Sequence, residues 1–120
     1  MKQLKSKGVL VLVTVFSLVS ASAQETSSDK EMKSFLIERD IPKAGEFTEA
    51  DLKGISQKSC SVLEKMKGIV WVNSYVTGDK VFCVYQSNDT DLIKEHAEKA
   101  GFPVTSIMEI GSVIGPKTAN

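Results

Sequence analysis

The residues suited to metal binding or proton transfer are mostly carboxylates in this chain, together with one histidine and two cysteines. The only histidine is His96. It lies beside Leu92, Ile93 and Ala97, whose helical spacing turns it toward the interior or its margin. Its neighbours one turn away supply no second ligand, so a metal site must be assembled from separate elements. The alternative is a hydrogen-bonded structural histidine.

Two glutamates on predicted strands are the candidate partners of this histidine. Glu38 ends the first predicted strand and Glu109 lies in the last, and the two strands are expected to be neighbours. Imidazole and carboxylate groups suit a borderline divalent ion such as nickel, zinc or cobalt. The sequence therefore predicts a metal site formed by His96, Glu38 and Glu109, with Tyr75 as a weak ligand or an orienting group. Alternatively, each glutamate is solvated or forms a salt bridge with a basic residue such as Arg39 or Lys33.

The two cysteines allow several interpretations. Cys60 lies in a helical pattern and Cys83 in a strand, and their spacing matches no CxxC or zinc motif. They are predicted to be small buried side chains, with a structural disulfide as the alternative. A redox site has the least support, because no resolving thiol lies nearby in the sequence.

The first 23 residues read as a cleaved signal peptide. Three lysines precede the apolar run Val9–Val19, and Ala21-Ser22-Ala23 predicts cleavage before Gln24. The run is shorter than the ~18–20 residues that a membrane span needs. We therefore expect an exported protein, periplasmic or extracellular, with no membrane association after cleavage.

Charge argues against nucleic acid as a partner. The whole chain has 15 basic and 15 acidic residues; cleavage removes three lysines and no acidic residue, which leaves 12 against 15 and a net charge of −3. No basic stripe of the kind that follows a phosphate backbone is present in the sequence.

The mature chain is predicted to form one α+β domain over residues 32–116, after a disordered lead-in at 24–31 and before a tail at 117–120. Thr48 is a candidate N-cap of a first helix, with Asp51 three residues on, and Gly101 ends a second helix. The predicted order is β-α-β-β-α-β. Right-handed crossovers then give the ferredoxin-like fold, a four-stranded antiparallel sheet with both helices on one face.

The hairpin Trp71–Tyr85 indicates a binding surface. Gly78-Asp79 suits a tight turn, and valines alternate with Trp71, Asn73 and Tyr75. With a two-residue turn, Trp71, Tyr75 and Phe82 are predicted to share the sheet face that no helix covers, although a bulge would change part of this assignment. A homodimer that buries this open face is the simplest arrangement.

A family resemblance supports this interpretation. The segments that carry it are MKSFLIERDIP, ISQKSCSVL, WVNSYVTGDKVFCVY, IKEHAEKAGFP and SIMEIGSVIGP. Together they resemble a family of small nickel-binding proteins first catalogued as a domain of unknown function. The resemblance implies a ferredoxin-like fold, a homodimer and nickel binding, and it marks as motif positions Glu38, Tyr75, Cys83, His96 and Glu109.

Three functions compete. The first is an exported, non-catalytic protein that binds a divalent metal, with nickel as the expected ion. The second is a small dimeric α+β barrel enzyme, resembling a monooxygenase or an isomerase, with an organic ligand between sheet and helices and with Tyr75 and His96 converging on it. The sequence carries no GxSxG, P-loop, HExxH or GxGxxG motif. The third is an interaction module that uses only the open sheet face.

Overall fold

A computed structural model describes residues 31–120. The predicted signal peptide and nearly all of the predicted lead-in lie outside these residues. The secondary-structure elements, in chain order, are strand β1 (Lys33–Asp40), a short 3-10 helix (Ala44–Glu46), helix α1 (Glu49–Leu63), strands β2 (Ile69–Val76) and β3 (Lys80–Ser87), helix α2 (Thr90–Ala100), strand β4 (Ser106–Glu109) and a final 3-10 helix (Pro116–Ala119). Within residues 31–120, no helix is both long and apolar enough to cross a bilayer.

The four strands form one antiparallel sheet in the order β2-β3-β1-β4. Together with the order of the helices, this confirms the predicted ferredoxin-like architecture. The alternation along β1 is also as predicted, because Phe35 and Ile37 are buried while Leu36 and Glu38 turn to the other side. The buried residues of β1 and β3 pack with Ile93 of α2 into the main core.

Helix α1 begins as its sequence predicts. The Thr48 hydroxyl accepts a hydrogen bond from the Asp51 backbone N–H at 3.2 Å, and the Asp51 carboxylate accepts one from the Thr48 N–H at 2.9 Å. This reciprocal pair satisfies two N–H groups that the first helical turn leaves free. The helix ends at Leu63, earlier than the predicted stop at Gly68. Ser59 is its one buried residue, so most of α1 is not in close contact with the sheet.

The β2–β3 hairpin has the predicted two-residue turn but a different pairing beyond it. The Thr77 N–H donates to the Lys80 carbonyl at 2.8 Å, on either side of Gly78-Asp79. A bulge between Trp71 and Asn73 then shifts the register by one residue.

The bulge corrects the predicted face of Trp71. Trp71 lies opposite the buried Tyr85, on the helix-facing side, whereas Tyr75 lies opposite Phe82 on the open side. The prediction that all three aromatics Trp71, Tyr75 and Phe82 share the open face was therefore wrong for Trp71. The inserted residue reverses the side-chain alternation that a regular strand would keep.

Candidate functional site

Glu38 lies on the open face of the sheet, between two polar neighbours. Its Oε2 accepts a hydrogen bond from the Ser106 hydroxyl at 3.2 Å, and its Oε1 lies 2.7 Å from the Lys80 ammonium. The same ammonium contacts Asp40. This second contact is the main cause that raises the pKa of Lys80 above its ordinary value, with Glu38 next, and the hydrogen bond with Lys80 lowers the pKa of Asp40. A cation therefore already lies between the two carboxylates.

Tyr75 is on the same face as Glu38 but not in contact with it. Phe82 pairs with Tyr75 on one side and with Glu38 on the other, so it separates them across the sheet. The Tyr75 side chain is exposed, and its hydroxyl accepts a hydrogen bond from the Asn73 amide at 3.2 Å.

Glu109 is at the sheet edge, where it pairs with the buried Phe35. Its carboxylate is half exposed and lies 3.7 Å from the Lys33 ammonium. The strands β1 and β4 are neighbours as predicted, but Glu38 pairs with Ser106, so the two glutamates occupy different rungs and opposite faces of the sheet.

His96 lies on the helix-facing side and is fully buried. Its Nε2 is 3.2 Å from the Ser59 hydroxyl, and its ring packs against Tyr85 and Phe102. Within residues 31–120, its Nδ1 has no hydrogen-bond partner. Burial is the main cause that lowers the pKa of His96, and the positive charge of Arg39 adds to it, so the ring is neutral near pH 7.

The four predicted metal ligands thus do not converge within one chain. Glu38 and Tyr75 lie on the open face, whereas His96 is buried on the other side of the sheet and Glu109 at its edge. Residues 31–120 contain no cluster of three or more His, Cys, Asp or Glu side chains arranged to hold a metal ion. The donor types suit nickel, but one chain by itself does not present them to a single ion.

A cavity of about 1040 Å³ separates α1 from the sheet. Most of its wall is apolar and comes from α1, β1, β2, β3 and the segment after α2. Among its lining residues are Arg39, Ile41, Phe47, Leu52, Ile55, Ser59, Trp71, Cys83, Tyr85 and Phe102. The enzyme alternative required Tyr75 and His96 to converge on such a cavity, but Tyr75 lies on the opposite face of the sheet.

Two buried polar residues of this cavity were not predicted from the sequence. Arg39 is 2% exposed and Tyr85 is also buried. Burial is the main cause that raises the pKa of Tyr85, so its hydroxyl keeps its proton at neutral pH. The alternation of Phe35, Ile37 and Arg39 is the signal that places the arginine on the buried face.

The cysteines are both free. Cys83 is buried in the core as predicted, but Cys60 is exposed, which corrects the expectation that both are buried. Cys60 lies on a part of α1 that does not pack on the sheet.

This fold places the chain among the ferredoxin-like α+β proteins. The SCO4226-like family, described as nickel responsive protein SCO4226-like, matches residues 35–110. The chain therefore belongs to that family. Among solved structures, the crystal structure of SCO4226 from Streptomyces coelicolor A3(2) is similar, with a TM-score of 0.59, 13% identity, and coverage of 68% of this chain and 99% of that one. The search of curated proteins found no match.

Proposed function

We propose that this protein is an exported, non-catalytic nickel-binding protein. The observation that carries the proposal is the match of residues 35–110 to a family named for its response to nickel. The match begins two residues inside β1 and covers the rest of the sheet, both helices and all four predicted ligands. Export is proposed from the leader-like residues 1–23 of the sequence.

We further propose that a homodimer across the open face forms a metal site from both copies of Glu38. The open face carries apolar side chains that are roughly half exposed, namely Val70, Tyr75 and Met108. A second copy that covers this face would shield them from water. It would also bring two copies of Glu38 into one interface, because a two-fold interface joins the same patch of both subunits.

The pair Glu38 and Lys80 suggests how such a site would respond to a metal. A divalent ion bound by Glu38 would have to displace the Lys80 ammonium from Oε1. Removing the ammonium should therefore strengthen binding, whereas removing the carboxylate charge should weaken it.

Calorimetric titration of the tag-free, metal-free mature chain with nickel, zinc and cobalt tests the proposal. We expect nickel binding that weakens in Glu38→Gln and strengthens in Lys80→Met. Glu98→Gln, an exposed substitution on α2, is the matched control. The proposal fails if none of the three ions binds at micromolar concentration, and the role of Glu38 fails if Glu38→Gln and Glu98→Gln bind nickel equally.

A further inference from the structure

Arg39 is a buried charge in the wall of an apolar cavity. It ends the buried row of β1 that begins with Phe35 and Ile37, and it is 2% exposed. Its guanidinium carries five N–H donors and a positive charge, and all of them need partners when the group is buried.

The contacts of Arg39 use only part of its guanidinium. Nη1 donates to the Pro103 carbonyl at 2.8 Å, Nε donates to Cys83 Sγ at 3.4 Å, and the group lies 5.5 Å from the centre of the Phe102 ring. In the part of the chain that the structure describes, Nη2 has no hydrogen-bond partner. The desolvation cost of a buried arginine is offset only when its N–H donors have acceptors and its charge has a counter-charge.

The acidic residues of the cavity do not supply that match. Asp40 is held by Lys80 on the outer side of the sheet edge, and Asp51 is held in the capping pair with Thr48. No carboxylate among residues 31–120 forms an ion pair with Arg39. The cavity therefore has an unmatched positive charge in one wall.

We propose that this cavity binds a small organic carboxylate with an apolar body, and that the Arg39 guanidinium in its wall pairs with the carboxylate. The volume of about 1040 Å³ is slightly above the ~300–1,000 Å³ typical of small-molecule sites. The apolar walls suit an aliphatic or aromatic body, and the protonated hydroxyl of Tyr85 in the same wall is a second donor for the anion.

The proposed ligand site is independent of the proposed nickel function. The cavity lies on the helix-facing side of the sheet, whereas Glu38 and Lys80 lie on the open side. Ligand binding can therefore be measured in metal-free protein, and either proposal can fail without the other.

Two probes of the same shape test the role of charge. The metal-free mature chain is titrated with naphthalene carboxylate and with the uncharged naphthalene carboxamide, and binding is followed by calorimetry. We expect the carboxylate to bind about 10- to 100-fold more tightly, which is the contribution of a hydrogen bond to a charged group. Equal affinity for the two probes, or no binding of either, would overturn the proposal.

Variants then locate the site. Arg39→Met should abolish the preference for the carboxylate. Ile55→Phe, which narrows the cavity from the α1 side, should lower the affinity for both probes by the same factor. Lys99→Met on the outer side of α2 is the matched control and should bind as the parent does. A preference that persists in Arg39→Met rules out Arg39 as the anion partner.

Amide chemical shifts of the parent give a test that needs no variant. Addition of naphthalene carboxylate should shift Tyr85 and Phe102, which line the cavity. Shifts confined to the open-face residues Val70 and Tyr75 would contradict the proposal.

Discussion

The hydroxyl of Ser59 and Nε2 of His96 lie 3.2 Å apart and join the two helices beneath the sheet. Ser59 is the one buried residue of α1, and His96 is fully buried on α2. Ser59 also lines the cavity, so the contact links the cavity wall to α2. It gives His96 a structural role whether or not the ring also binds a metal.

The buried His96 should make stability depend on pH. Its pKa is lowered from 6.5 by burial and by Arg39, so below pH 6.5 the unfolded chain binds more protons than the folded chain. The free energy of unfolding should therefore fall as the pH drops below about 6.5, until the pH reaches the folded pKa. Urea unfolding of the parent and of His96→Gln between about pH 7.5 and 5 measures this loss. If the free energy of unfolding depends on pH in the same way in both proteins, His96 is not the source of this loss of stability.

Replacing Arg39 should not destabilise the fold. Removing a buried charge that has no ion-pair partner relieves its desolvation penalty, which offsets the loss of its hydrogen bonds. Arg39→Met should thus unfold at the same or a higher urea concentration than the parent. Ile37→Ala, at a buried position of the same strand, is the contrast and should cost about 2–5 kcal/mol. A comparable loss of stability in Arg39→Met would mean that the hydrogen bonds of Arg39 to Pro103 and Cys83 stabilise the fold by more than burial of its charge destabilises it.

A charge on the open face should dissociate the proposed dimer. Tyr75→Glu would place a carboxylate in an interface that excludes water, where an unpaired charge is costly. Light scattering over a range of protein concentrations should show a dimer for the parent and a monomer for this variant. Val113→Glu, at a side chain that is 84% exposed outside the sheet, is the control. A monomeric parent, or a dimer in both variants, would exclude the open face as the dimer interface.

The predicted roles of His96 and Tyr75 in metal binding differ in strength. If His96 is a ligand, His96→Ala should weaken nickel binding more than Tyr75→Phe, since loss of an orienting partner typically costs about 10–100-fold. Affinity should also fall as the pH drops through the pKa of His96, because only the neutral ring binds a metal. Calorimetry with nickel at several pH values measures both effects. If His96→Ala binds nickel as the parent does, with the same pH dependence, His96 is not a metal ligand and its role is the structural contact with Ser59.

Much of the fold follows from local patterns. The alternation of Phe35 and Ile37 with Leu36 and Glu38 determines both faces of β1, because successive side chains of a strand point to opposite sides. The Thr48–Asp51 pair sets the start of α1, since both hydrogen bonds form within one turn. The family segments are local sequence as well, and they correctly indicated the family.

The arrangement of the site follows from contacts between distant residues. A one-residue bulge at Val72 places Trp71 on the helix side, and no short-range signal in the sequence specifies that bulge. The way in which α1 packs against the sheet leaves Cys60 exposed and leaves a cavity beside Arg39.

The separation of His96 from Glu38 depends both on local sequence patterns and on tertiary packing. The sequence by itself determined that Glu38 alternates away from Ile37 and that His96 lies next to the apolar stripe of α2. Only the tertiary structure decided that α2 packs against the Ile37 side of the sheet, which puts the sheet between the two predicted ligands. Side-chain direction within an element depends on neighbouring residues, whereas the face on which a helix packs depends on the burial of the whole core.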